Sequence, residues 1–177
     1  TFDDSSPGQY RILEDGALDP DCAVSILQAE VEWGMWAPKA TFFPLLAKNG
    51  GNILFGQPEL AQTKLRNLVA WGYEVGSHGL THMDFSKAST AQVKKELAES
   101  QAQLESLIGD GYQVFTLSPP YGERPSEPSL LLSGEYEGQT YEYRAVVRAG
   151  GESSPSPFSS EFDATRLPRI TSAAPES

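Results

Sequence analysis

Three stretches of the chain place apolar residues at helical spacing, and they alternate with three short β-prone runs. Val24, Ile26, Leu27 and Val31 form the first stripe; Asp19-Pro20 ahead of it supplies an N-cap and a first helical position, and Gly34 follows its end. Leu60, Leu65, Leu68 and Val69 form the second, opened by Gln57-Pro58 and stopped by Gly72. Val93, Leu97, Leu104, Leu107 and Ile108 form the third, capped by Ser89 or Thr90 and ended by Gly109. The intervening runs are residues 39–43 (KATFF), 73–77 (YEVGS) and 113–117 (QVFTL). Strand and helix in this alternation predict βαβ units, a parallel sheet, and right-handed crossovers that gather the C-terminal ends of the strands on one rim. A barrel and an open doubly wound sheet both fit.

The alternation fades after residue 121. Pro125, Pro128, Gly134 and Gly138 punctuate loops, residues 141–148 read as a strand, and residues 150–160 are rich in Gly, Ser and Pro. No composition shift marks a domain boundary, so we expect one α/β domain over residues 1–170 and a frayed tail at 171–177. No apolar run approaches the ~18 residues of a membrane-crossing helix. Thirteen Lys and Arg against 24 Asp and Glu leave a formal charge of −11, and Lys94-Lys95 is the only adjacent basic pair. Such a field repels nucleic-acid backbones and anionic bilayers. The single cysteine, Cys22, excludes an internal disulfide framework and a cysteine zinc finger; inside the first predicted helix it reads as a small core residue.

Both histidines of the chain, His78 and His82, lie four apart in GSHGLTH, just past a predicted strand. They are either two loop histidines or an imidazole pair that faces one cation, since neutral imidazole is the commonest metal ligand. Asp3 and Asp4 in TFDD are either a solvated acidic turn or a strand-end pair in which one carboxylate binds a metal and its neighbour acts as a base. Ser118-Pro119-Pro120-Tyr121-Gly122 follows the third strand; it is a rigid turn, or a wall whose Tyr121 N–H points at a developing oxyanion. Trp33, Trp36 and Trp71 read as core or helix-packing residues, with Trp36 the best placed for a surface role, and Asp84 reads as a loop residue with a supporting role beside His82 as its alternative.

In order and spacing, TFDD, GSHGLTH and SPPYG resemble the three motifs of the polysaccharide deacetylases, the NodB-homology or carbohydrate esterase family four, with KATFF between the first two. The resemblance covers residues 1 to about 170. It implies a distorted, incomplete (β/α) barrel with one divalent metal at the rim, usually zinc, with cobalt or nickel as alternatives. It implies that Asp4, His78 and His82 hold the metal, that Asp3 is the general base, that the Tyr121 amide stabilises the oxyanion, and that Pro120 and Tyr121 wall the substrate. The expected activity is removal of N-acetyl (or O-acetyl) groups from a chitin-like or peptidoglycan-like glycan by a secreted or cell-surface bacterial hydrolase. The family's third motif begins with an arginine that holds the base; Ser118 occupies that position here, and Arg169 in RLPRI is the candidate replacement, with an ordinary ion pair as its alternative use. The family's late histidine, its general acid, has no counterpart, and the chain reads as cut at both ends. Two rivals remain: a glycan-binding relative without catalysis, and a metal-dependent amidohydrolase acting on small substrates.

Overall fold

The computed structural model describes residues 1–34, 37–47 and 53–170. Strands β1 (Phe2–Asp3), β2 (Thr41–Phe43) and β3 (Glu74–Val75) form a parallel ladder in that order, with Phe2 opposite Phe42 and Phe42 opposite Val75. Helices α1 (Ala23–Glu32) and α2 (Ala61–Ala70) occupy the two crossovers, and α3 (Thr90–Ile108) the next one, to β4 (Thr116–Leu117). A parallel bridge between Ser77 and Leu117 joins β3 to β4. β4 pairs in parallel with the last strand, β7 (Ala145–Val146), and a further parallel bridge links Val147 to Leu167. Two residues on, Arg169 reaches back to Asp3 of β1. The parallel strands thus form a partial (β/α) barrel whose first and last segments meet through side chains. In the crossover from β4 to β7, an antiparallel hairpin of β5 (Ser133–Tyr136) and β6 (Gln139–Glu142) packs on α3. The expected strand over 141–148 is therefore two strands, β6 and β7, interrupted at residues 143–144.

The core lies between helices and ladder: Phe42, Leu65, Leu68, Val75, Phe85, Val93, Leu97, Leu104 and Leu117 are fully buried, and Phe2 stacks on Phe42 at 4.7 Å. The α3 boundaries match the sequence expectation, with a Ser89–Gln92 capping box and Gly109 at φ +74°. The α1 start does not. The Asp19 carboxylate accepts Asp21 N–H (3.0 Å) and its carbonyl accepts Cys22 N–H (3.1 Å), so Asp19-Pro20 closes a turn and the helix starts at Ala23. Cys22 is buried at the N-cap rather than within the helix. Gln57 likewise does not cap α2: its amide pairs both ways with the Ile12 backbone, and Pro58–Leu60 form a 3-10 turn ahead of the helix.

The strand expected over 113–117 is cut to Thr116–Leu117: α3 side chains take the backbone of Val114, and the Phe115 carbonyl accepts Arg144 N–H at 2.7 Å just ahead of β7. Val114 N–H donates to Glu105 Oε1 (3.0 Å) and Val114 O accepts Gln101 Nε2 (2.7 Å), while the Tyr112 hydroxyl bridges the N–H and carbonyl of Val75. Trp33 corrects a second expectation. It is 73% exposed at the C-cap of α1, alongside exposed Ile26 and Val31; Ile26 lies about 200° round the helix from buried Val24. Trp71 packs on Tyr10 as expected, and Trp36 and the 171–177 tail lie outside the described residues.

Two predictions arise from this packing. A Cβ on Gly76, just past β3, would lie 2.4 Å from both Phe43 Cε1 and Thr116 Oγ1. Gly76→Ala is expected to lower unfolding stability by about 1–3 kcal/mol in denaturant titration; a neutral result would mean that the two strands separate without cost. Lys64 of α2 is fully buried; its Nζ donates to the Tyr10 carbonyl at 2.9 Å, and burial pushes its pKa down to about 8. Between pH 8 and the ordinary lysine value of about 10.4 the unfolded chain binds more protons than the folded one, so this lysine makes stability rise with pH. The Tm difference between pH 7.5 and 9.5 should shrink in Lys64→Met.

Candidate metal centre

β1 delivers two adjacent carboxylates to the strand-end rim and then turns sharply. Asp4 and Ser5 both adopt positive φ (+69° and +44°), and the turn is locked by buried Ser5, whose Oγ accepts Leu45 N–H at 2.6 Å. His78 follows the Ser77 bridge and is buried; His82 ends the same loop at φ +60°. Asp4 Oδ1 lies 3.4 Å from His78 Nε2 and 3.1 Å from His82 Nε2, and the three ligand atoms fall within 4.8 Å of one another. His78 Nδ1 sits 2.6 Å from the Ser118 carbonyl, which can only accept, so the hydrogen-bond network places the ring proton on Nδ1. In the neutral ring, Nε2 then turns a lone pair toward a carboxylate oxygen that is also an acceptor. Two acceptors aimed at one point fit a cation between them, and two imidazoles with one carboxylate are a borderline-metal donor set.

Asp3 points the other way and is clamped. Arg169 forms a bidentate fork on it, Nη1 to Oδ1 and Nη2 to Oδ2 at 2.8 Å each, and the Ser118 hydroxyl donates to Oδ2 at 2.9 Å. Arg169 is itself held: Nη1 donates to Thr1 Oγ1, Nη2 to Ser118 Oγ, Nε to the Arg148 carbonyl, and the guanidinium lies over the Phe43 ring. Burial pushes the Asp3 carboxyl up, but the Arg169 hydrogen bonds, the nearby His78, the Arg169 charge and Ser118 together hold it below its usual value. An open cleft of about 530 Å³ lies over these groups, lined by Thr1, Phe2, Asp3, Asp4, Arg169 and Ile170 among others. Beside the histidines the exposed Tyr121 ring stands edge-on to His82 at 4.6 Å. Tyr121 has φ +60°, and the N–H groups of Gly122 and Glu123, not its own, close the turn.

A sequence model of the family described as polysaccharide deacetylase matches residues 1–133 of the 177. The chain belongs to the polysaccharide deacetylase family. It is 31% identical over 113 residues to a chitooligosaccharide deacetylase of Bradyrhizobium, covering 64% of this chain and 45% of that protein. It is 29% identical over 116 residues to a peptidoglycan-N-acetylglucosamine deacetylase of Listeria monocytogenes, covering 62% and 22%. The crystal structure of a polysaccharide deacetylase from Bacillus cereus superposes over 96% of this chain and 45% of that one, with a TM-score of 0.65 at 17% identity, a likeness of fold. The chain spans less than half the length of these curated relatives.

Within this deacetylase fold the residues singled out from the sequence come together: Asp4, His78 and His82 at one point, and Asp3, Ser118 and Arg169 beside it. Asp84 stands apart; its carboxylate caps the 3-10 turn Phe85–Lys87 through Ser86 and pairs with Lys87. Sequence reading missed Glu96 and Ser100, two polar residues that α3 buries against the histidine loop. Their signal was positional. At 96 and 100 they fall in register with the Val93, Leu97 and Leu104 stripe, where a solvated residue does not belong.

Proposed function

We propose that the chain is a metal-dependent deacetylase that hydrolyses N-acetyl groups on a glycan of the chitin or peptidoglycan type, with O-acetyl esters as a chemically close substrate. One observation carries the reading: Asp4, His78 and His82 converge on a single point beside a carboxylate whose two oxygens are held by Arg169. Asp4 Oδ1 and the two Nε2 atoms would hold one divalent ion, zinc first, with cobalt or nickel fitting the same donors. What such an ion supplies is Lewis acidity, which polarises an acyl carbonyl and acidifies water.

The remaining chemistry belongs to this chain's own groups. Asp3 Oδ2 accepts from both Arg169 and Ser118, whereas Oδ1 accepts from Arg169, so Oδ1 keeps a lone pair for the proton of an attacking water. The Tyr121 N–H, left out of its own turn, is the donor for the oxyanion that develops as the acyl carbon becomes tetrahedral. Pro119 and Pro120 stiffen this wall, and Pro120 with the Tyr121 ring flanks the sugar. With both histidines in the metal set, Asp3, once it has taken the proton of the attacking water, is the described group placed to return it to the departing amine. A glycan of this kind lies outside the cytoplasm, which supports a secreted or surface-held protein; no described helix is long and apolar enough to cross a membrane.

The test is acetate release from N-acetylated glucosamine oligomers and from peptidoglycan fragments by zinc-loaded protein. Asp3→Asn is expected to keep the zinc and lose about 10²–10⁴-fold in rate. Full zinc occupancy with no acetate released from either glycan would assign a glycan-binding role instead. Turnover confined to small amides would assign an amidohydrolase of small substrates.

A further inference from the structure

We infer that Glu96 of α3 is the positioning residue that sets the separation of the two imidazoles, so that metal affinity depends on a carboxylate that touches no metal. The inference rests on the metal-centre reading above. The loop between the histidines is three residues long, and both of its ends take up left-handed backbone, Gly79 at φ +74° and His82 at φ +60°. Curling the chain this way turns the N–H groups of Leu80 and Thr81 to the same side. Glu96 meets them there: Oε2 accepts both at 2.8 Å, and Oε1 accepts the Thr81 hydroxyl. Glu96 is only 3% exposed. A carboxylate that deep costs stability unless its oxygens are supplied with donors, so carboxylate and loop fix each other's position.

One turn further along α3, Ser100 holds Ser77, the residue that precedes His78. Ser100 Oγ lies 2.9 Å from Ser77 Oγ, which in turn accepts Gly79 N–H at 3.2 Å. The chain on both sides of His78, Ser77 before it and Leu80-Thr81 after it, is therefore held by two side chains spaced i, i+4 on one helix. The glycine at 79 completes the fit: a Cβ there would lie 3.2 Å from Glu96 Oε2, in a backbone conformation that side chains disfavour. Groups that orient metal ligands without touching the ion typically change affinity about 10–100-fold when removed.

The experiment compares wild type, Glu96→Ala, Glu96→Gln and Thr81→Val in zinc competition titrations, in the visible spectra of their cobalt forms, and in amide hydrogen exchange of the metal-free proteins. Glu96→Ala should weaken zinc about 10–100-fold, alter the cobalt spectrum, and lose protection at Leu80 and Thr81. Glu96→Gln retains an oxygen for the two N–H groups, and the Thr81 hydroxyl can turn to accept its amide, so this variant should restore most of the affinity and the wild-type spectrum. Thr81→Val, which removes one donor of three, should weaken zinc less than Glu96→Ala and keeps the test open if the alanine variant does not fold. Wild-type affinity and spectrum in Glu96→Ala, or unchanged exchange at Leu80 and Thr81, would overturn the inference. Absence of zinc binding by wild type would overturn the metal centre itself, and the exchange data would still report on the loop.

Discussion

Arg169→Ala should retain its zinc and lose at least about a hundredfold in kcat/KM for acetate release. The reason is geometric before it is electrostatic. Asp3 leaves β1 at its last residue, where the backbone turns left-handed at Asp4, so the ladder alone does not orient its carboxylate. The fork from Arg169 contacts both oxygens, and Arg169 is anchored in turn by Thr1, Ser118 and the Arg148 carbonyl. Truncation leaves the Ser118 hydroxyl to hold the carboxylate. Lysine in its place restores the charge without the planar fork and should recover only a small part of the rate. The pH profile supplies an independent check. In wild type, Arg169 is the leading influence offsetting the upward push of burial on Asp3. Without it the carboxyl titrates at higher pH, so the acid limb of kcat/KM should move up. Loss of zinc together with activity would mean that the clamp holds the whole rim rather than the base.

This clamp shows how far the sequence could be read. Each motif sits on a strand end, and strand ends meet on one rim in any parallel α/β sheet, so TFDD, GSHGLTH and SPPYG are brought together by topology alone. Arg169 is joined to Asp3 across 166 residues, and no local pattern marks it; a vacancy at residue 118 did, because a base carboxylate whose usual arginine is replaced by Ser118 needs its cation from elsewhere. The structure adds that Ser118 is more than a gap: its hydroxyl joins both partners while its carbonyl holds His78. Glu96 was missed for a different reason. Its neighbours Lys94, Lys95 and Glu99 have the composition of a solvated helix face, and that composition masked a position three residues on from Val93, on the side of the helix that is buried.

The strand and helix boundaries failed where side chains took over backbone work. Within residues 113–117 only Val114 and Leu117 are buried and only Thr116–Leu117 form a strand, because Gln101 and Glu105 claim Val114 before β3 can. Asp19 had the composition of an N-cap, and its carboxylate found the nearer donor two residues on. The late hairpin β5–β6 was hidden because Gly134 and Gly138 read as loop punctuation; Gly138, at φ +84° beside Glu137 at +49°, is the tight turn that joins the two strands.

His78→Ala is the substitution with the largest expected effect: from about one zinc per chain to none retained through gel filtration, with acetate release at background. Three protein donors converge on the site, and removing one leaves His82 with Asp4, whose side chain is 60% exposed and loses energy to water when it is fixed. His78 also ties the metal set to the base. Its Nδ1–H is bound by the carbonyl of Ser118, whose hydroxyl reaches Asp3, so its loss also leaves that buried carbonyl unpaired. Zinc at a hundred times its Kd should stabilise wild type by about 2.7 kcal/mol through mass action, visible as a rise in Tm, and should leave the Tm of His78→Ala where it was. Asp4→Asn keeps a neutral oxygen at the site and should fall between the two, with weakened zinc and a smaller rise. Equal zinc-induced shifts in wild type and His78→Ala would move the metal elsewhere in the molecule, and with it the role assigned to Asp3.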